Sequence, residues 1–155
     1  MALEIGTNSF VTEEAADSYF VNRVHNEQWD ANPDIQEEAL ITASGILNLE
    51  NWEGMTRTAE QPMAFPRSGR VTNTRSGWDI NLETVEIPQQ VVSASCELAL
   101  HLINNPDLLE DTGDTESLKV GSISLVSTTK AEKVPSYIKS MYRELLVGGG
   151  TRRVF

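Results

Sequence analysis

Residues 88–105, PQQVVSASCELALHLINN, decide the fold. Val91, Val92, Cys96, Ala99, Leu100 and Ile103 recur at three- and four-residue steps and mark one face of a helix. Leu98 and Leu102 widen that face until little of the circumference is left for water, so the helix is central. Pro88 suits a first helical position and Pro106 forbids continuation, which sets both ends.

Three further apolar stripes lie outward from it. Thr12 is a good N-cap, Glu13 and Glu14 suit the positive end of a helix dipole, and Val11, Ala15, Ala16, Tyr19, Phe20 and Val24 follow helical spacing over 12–24. Asn32-Pro33 starts a second helix over 33–49, with Ile35, Ala39, Leu40, Ala43, Ile46 and Leu47 on one side. Pro135 starts the last, about 135–147, with Ile138, Met141, Tyr142, Leu145 and Leu146 in line before Gly148-Gly149-Gly150 stops it. Leu118, Val120, Ile123 and Leu125 around Gly121 predict a short β element at about 118–126. Residues 50–87 carry Gly54, Pro62, Pro66, Gly69 and Gly77 and no sustained period, so they form a long loop, which Trp52, Phe65 and Trp78 argue is ordered. The expected fold is mainly α: a bundle of about four helices with a small β element, a long ordered loop and an extended C-terminal arm. Residues 1–147 form the helical domain and 148–155 the arm; no internal repeat is present.

At 155 residues the chain has the size of one domain, and its 39% hydrophobic content suits one that completes its burial against neighbours. The single cysteine, Cys96, excludes an internal disulfide and a multi-cysteine zinc site, and its place in the central stripe makes it a core residue in a reducing compartment. The N-terminus lacks a signal-peptide pattern and no apolar run is long enough to span a bilayer, so a soluble protein with no membrane partner is expected.

His25 and His101 lack a second ligand at metal spacing, so no metal is expected. Glu13-Glu14 and Glu37-Glu38 read as solvated helix faces. No nucleophile elbow or phosphate-binding glycine loop occurs, so neither catalysis nor a cofactor is expected. Arg57, Arg67, Arg70 and Arg75 interleave with Trp52, Phe65 and Trp78, the ingredients of a stacking platform for single-stranded nucleic acid. Against it stands charge: residues 1–129 hold 6 Lys+Arg and 21 Asp+Glu, a net of −15, which opposes every approaching phosphate. The simpler account assigns Trp52, Phe65, Arg67, Arg70, Arg75 and Trp78 to loop structure or to a contact between subunits.

The other end of the chain has the opposite sign. Residues 130–155 hold 6 Lys+Arg and 2 Asp+Glu, a net of +4. Gly148, Gly149 and Gly150 make a swivel, and Arg152, Arg153, Val154 and Phe155 beyond it make a basic, apolar plug that reads as an arm entering an acidic partner. The bland alternative is a frayed terminus.

Several segments in order resemble a known family. Asn8-Ser9-Phe10-Val11-Thr12-Glu13-Glu14-Ala15-Ala16-Asp17-Ser18-Tyr19-Phe20, then Trp29, Ala39-Leu40-Ile41-Thr42-Ala43-Ser44 and Trp52-Glu53-Gly54, are similar to the first half of tailed-bacteriophage neck proteins. Gln61-Pro62-Met63-Ala64-Phe65-Pro66-Arg67 resembles their Pro-Arg loop, with Phe65 where a tryptophan is usual. Ile87-Pro88 through Leu100, and Val120-Gly121-Ser122-Ile123, resemble their central helix and strand. The family is that of head-to-tail connector adaptors, often labelled DnaT-like single-stranded-DNA-binding. The resemblance spans about residues 8–125 and implies a structural virion protein in the neck, assembled in the host cytoplasm. It implies a ring of copies, a dodecamer, joining the portal protein to a downstream tail or nozzle protein while DNA passes through the channel. By role rather than by motif, it implies portal docking through Arg152, Arg153, Val154 and Phe155. The alternative is a single-stranded-DNA-binding module using loop 52–78.

Overall fold

A computed structural model describes residues 2–73, 75–109, 117–120, 123–126 and 133–148, of which 117–120 and 123–126 are described by backbone alone. Five helices follow in order: α1 (Glu13–Phe20), α2 (Asn26–Asp30), α3 (Gln36–Asn48), α4 (Gln89–Asn104) and α5 (Ser136–Tyr142). The broad arc on α4 does what its width predicted. Val91, Ala94, Ser95, Cys96, Leu98, Ala99, Leu100 and Leu102 are all buried, with α3 and α5 packed against the helix and α1 and α2 also touching it. Each fully buried Leu there is worth about 1.5–3 kcal/mol, so α4 is the element the core is organised around.

The other stripes hold with three amendments. The first helix stops at Phe20 instead of running to residue 24, and Val24 is 91% exposed. Turning the chain at 21–25 lets α2 bring Trp29 on to Phe20, ring centroids 4.7 Å apart, and its indole N–H on to Asp17 at 2.7 Å. Burying an indole outweighs burying one valine. The second helix opens with a 3-10 turn, Pro33–Ile35, and Asn32 does not cap it: its amide donates back to the Gln28 carbonyl instead. Ile35, counted in the stripe, faces solvent. The last helix ends at Tyr142, tightens into a 3-10 turn at Arg143–Leu145, and becomes extended at Leu146, which bridges Trp52. There Glu53 N–H donates to Leu145 O at 2.8 Å and Val147 N–H to Asn51 O at 2.9 Å, replacing helical bonds with strand-like ones.

Within the long loop the structure finds short β pairs where no period was visible. β1 (Met55–Thr56) pairs antiparallel with β2 (Arg67–Ser68), and β3 (Arg70–Thr72) with β4 (Asp79–Asn81). β5 (Ser117–Val120) and β6 (Ile123–Val126) pair antiparallel where a β element was expected near 118–126, with Leu118 opposite Leu125. The protein is mainly α with these small β additions.

An aromatic chain fastens the loop to the helices. Phe10 meets Phe65 edge-on at 5.9 Å, Phe65 meets Trp52 at 5.0 Å, and Trp52 meets Tyr142 of α5 at 5.2 Å. The polar tips are satisfied: Trp52 Nε1–H donates to Leu47 O, and Tyr142 O–H to Glu50. Four segments distant in sequence thereby share one core.

Candidate nucleic-acid interface

Loop 50–87 splits its arginines and aromatics into two groups. In the first, Arg67 is only 9% exposed and forms no ion pair with a carboxylate among the described residues. Its Nε donates to Glu53 O, Nη1 to Ala64 O, and Nη2 to Trp52 O and Gly54 O. Burial draws its pKa below the ordinary value, opposed by the nearby Glu53. Arg57 does similar work, donating to the carbonyls of Arg67, Leu82, Glu83 and Val85 and pairing with Glu86 at 2.8 Å. Short strands leave many carbonyls without a ladder partner, and a guanidinium carries five fixed donors to meet them. Gly54, at φ 80, lies so close to the second strand that an added Cβ would run into the Ser68 carbonyl. Trp52 and Phe65 are buried beside these staples.

The second group sits on the β3–β4 hairpin. Val71 faces the core, which leaves Arg70 on the outer side of the strand. Beyond it the chain turns on Asn73: its N–H donates to Trp78 O, its side-chain oxygen accepts from the N–H groups of Arg75 and Ser76, and Gly77 takes φ 77. Arg75 is exposed, and Trp78 is 78% exposed. Trp78, assigned from the sequence to loop structure or to a contact between subunits, does not pack into the core of the chain as Trp52 does, because the hairpin is short and Val71 and Ile80 supply its inward face. Arg70 and Arg75 likewise have no carboxylate within ion-pair range among the described residues.

Of the remaining candidates, Gly148 takes a left-handed φ of 74 but does not stop the last helix as expected, since the helical turn has already ended at Leu145 and the chain is extended at Leu146. Gly149, Gly150, Arg152, Arg153, Val154 and Phe155 lie outside the described residues. His25 is exposed, and His101 Nε2 is buried with no hydrogen-bond partner among the described residues. Among the described residues no group of three or more His, Cys, Asp or Glu could hold a metal, and no helix is long and apolar enough to cross a membrane. Asn73 was not singled out from the sequence. Its signal was the Ser76-Gly77 turn pair, which reads as punctuation until the loop it closes is known.

Among the described residues, a surface with one open indole, two guanidiniums without an ion pair and no enclosed cavity suits a strand laid across it more than a small molecule held within it. A family model described as "Putative DnaT-like ssDNA binding protein" matches residues 2–154, and the chain belongs to that family. No curated protein and no solved structure matches the chain.

Proposed function

We propose that the protein binds single-stranded DNA on the β3–β4 hairpin, with Trp78 as the face on which a base stacks and Arg70 and Arg75 as phosphate partners. The observation that carries this reading is the exposure of Trp78 on a hairpin that also carries Arg70 and Arg75, neither of which has an ion pair among the described residues. A buried indole would serve the core; an open one is a surface any base can stack on, worth about 1–3 kcal/mol per base. The family's description points the same way. Net charge −11 makes the expected affinity modest and strongly salt-dependent. The test is fluorescence anisotropy of a labelled oligothymidylate at low salt. The intact chain should bind, and the triple variant Arg70→Ala, Arg75→Ala, Trp78→Ala should not, at unchanged melting temperature. Equal binding by the triple variant would move the site elsewhere.

Charge supports a second reading, the ring adaptor of a virion neck. Arg57 and Arg67 are spent on internal carbonyls, so the surface is more acidic than composition suggests, and a like-charged channel lets DNA slide without sticking. In this reading copies of the chain form the ring, and Arg152, Arg153, Val154 and Phe155 dock on the portal. Removing residues 148–155 should then leave the helical domain folded and abolish portal attachment, read by electron microscopy of assembled particles. Full necks built from the truncated chain would refute it.

A further inference from the structure

Most basic residues outside loop 50–87 cluster late in the chain, and two of them lie in one row. Lys139 and Arg143 are exposed and four residues apart, which places neighbouring side chains about 5–6 Å apart at Cβ on a helical surface. Their row flanks the buried stripe of α5, where Ile138, Tyr142 and Leu145 enter the core. The turn that carries Arg143 packs directly against β3, the strand that carries Arg70. Neither Lys139 nor Arg143 has a carboxylate in ion-pair range among the described residues. Two carboxylates beside this path are held in place by neutral donors and keep their charge: Glu144 accepts from the Gln90 amide at 3.0 Å, and Asp79 from the Thr72 hydroxyl at 3.0 Å.

We propose that the strand-binding surface continues past the hairpin, across the 143–145 turn and on to α5. Arg75, Arg70, Arg143 and Lys139 then form one track for the phosphates of a single-stranded nucleic acid, with Trp78 as the stacking face at its hairpin end. The inference rests on the strand-binding reading of the hairpin and extends it to a second element. The competing occupant is the acidic side of a second copy, since residues 1–56 hold Arg23 alone against eleven Asp and Glu. Trp78 favours nucleic acid, because an acidic protein face gives an exposed indole nothing to stack on, whereas a base does. The acidic body around the track would confine the strand to it.

Salt dependence counts the contacts. Four phosphate contacts on a single strand give a slope of log K against log salt of about −3, and two give about −1.4. Between 50 and 200 mM salt these slopes correspond to about 50-fold and about 7-fold losses of affinity. The experiment is an anisotropy titration of a labelled oligothymidylate against the full chain, Lys139→Gln/Arg143→Gln, and Arg70→Gln/Arg75→Gln, with light scattering alongside. The intact chain should show the steep slope, and each double variant the shallow one. The charge-keeping variant Lys139→Arg/Arg143→Lys should restore the steep slope, which a merely structural role for these positions would not require. An intact chain with the shallow slope, unaffected by the α5 variant, overturns the track and leaves the hairpin reading standing. No binding by the intact chain at the lowest salt overturns both. An α5 variant that loses self-association while keeping the steep slope assigns the row to a second copy, against the proposal.

Discussion

Arg67 and Arg70 are three residues apart in one loop, carry the same guanidinium, and have opposite fates. Arg67 is sunk among the carbonyls of Trp52, Glu53, Gly54 and Ala64, while Arg70 stands on the outer face of a hairpin with no carboxylate partner described. The aromatics divide in the same way: Trp52 and Phe65 are buried with the staple, and Trp78 is left in solvent with Arg70 and Arg75. The contrast comes from the backbone. Where the chain folds back without a long ladder, its carbonyls need donors, and a buried arginine supplies several at once. Where the hairpin stands in solvent, as residues 75–79 do, water meets its outward backbone groups, and the arginine and tryptophan on it stay available for something else.

Breaking the buried half should have the largest effect. Phe65→Ala removes the ring that links Phe10 to Trp52 and should destabilise the fold by about 3–5 kcal/mol. Arg67→Ala leaves four carbonyls without their donor and should cost about 2–3 kcal/mol, whereas Arg70→Ala should stay within about 0.5 kcal/mol. Chemical denaturation of the three variants measures the difference directly. Equal stabilities for Arg67→Ala and Arg70→Ala would erase the distinction between the two halves.

The sequence exposed this division only partly. Stripes such as Val91, Cys96 and Leu102 were readable because a helix repeats its environment every three or four residues, and α4 matches its predicted span. Val24 fitted the same period and is exposed, since nothing in a local pattern reveals that Trp29 will take the place against Phe20. The loop resisted reading for a related reason. Its order comes from contacts such as Arg57 to Leu82 and Trp52 to Tyr142, which join residues far apart in sequence and leave no period. Trp52 and Trp78 were therefore indistinguishable as letters. The gathering of Arg70 with Arg143 was equally hidden, because it depends on β3 packing against the turn after α5.

A pH change should sharpen the comparison more gently. Burial and a hydrogen bond to Glu50 raise the pKa of Tyr142, burial and Glu97 raise those of Tyr19 and Tyr137, and burial with Glu97 pushes the Cys96 thiol up to about 12. Each folded value exceeds its unfolded one, so the native state holds protons that the unfolded chain releases first. The stability from these groups is complete below about pH 9 and is lost as pH rises from there. Phenolate absorbance should therefore lag behind that of free tyrosine and then rise together with loss of helical circular dichroism. Three phenols titrating independently near pH 10 with the helices intact would contradict the packing of Tyr142 and Tyr19. The hairpin carries no tyrosine or cysteine, so base stacking on Trp78 should persist until the core itself gives way.

Trp78→Ala is the smallest expected perturbation of the fold and the most informative about use. The indole is exposed and lies outside the aromatic chain of Phe10, Phe65, Trp52 and Tyr142, so its removal should change stability by no more than about 0.5 kcal/mol. The Asn73 turn that shapes the tip is built from backbone groups and the Asn73 side chain, none of which the substitution touches. Binding should respond differently. Loss of one stacked base is worth about 1–3 kcal/mol, roughly a 5- to 150-fold weaker affinity for single strands, with the salt slope unchanged because no cation is removed. Trp78→Phe, which keeps an aromatic face, should recover most of the loss. Trp52→Ala supplies the converse control: it should unfold the loop and lose affinity only in proportion to the unfolded fraction. If Trp78→Ala bound as tightly as the intact chain, the exposed indole would have no part in strand binding, and Arg70 and Arg75 would act as point charges alone.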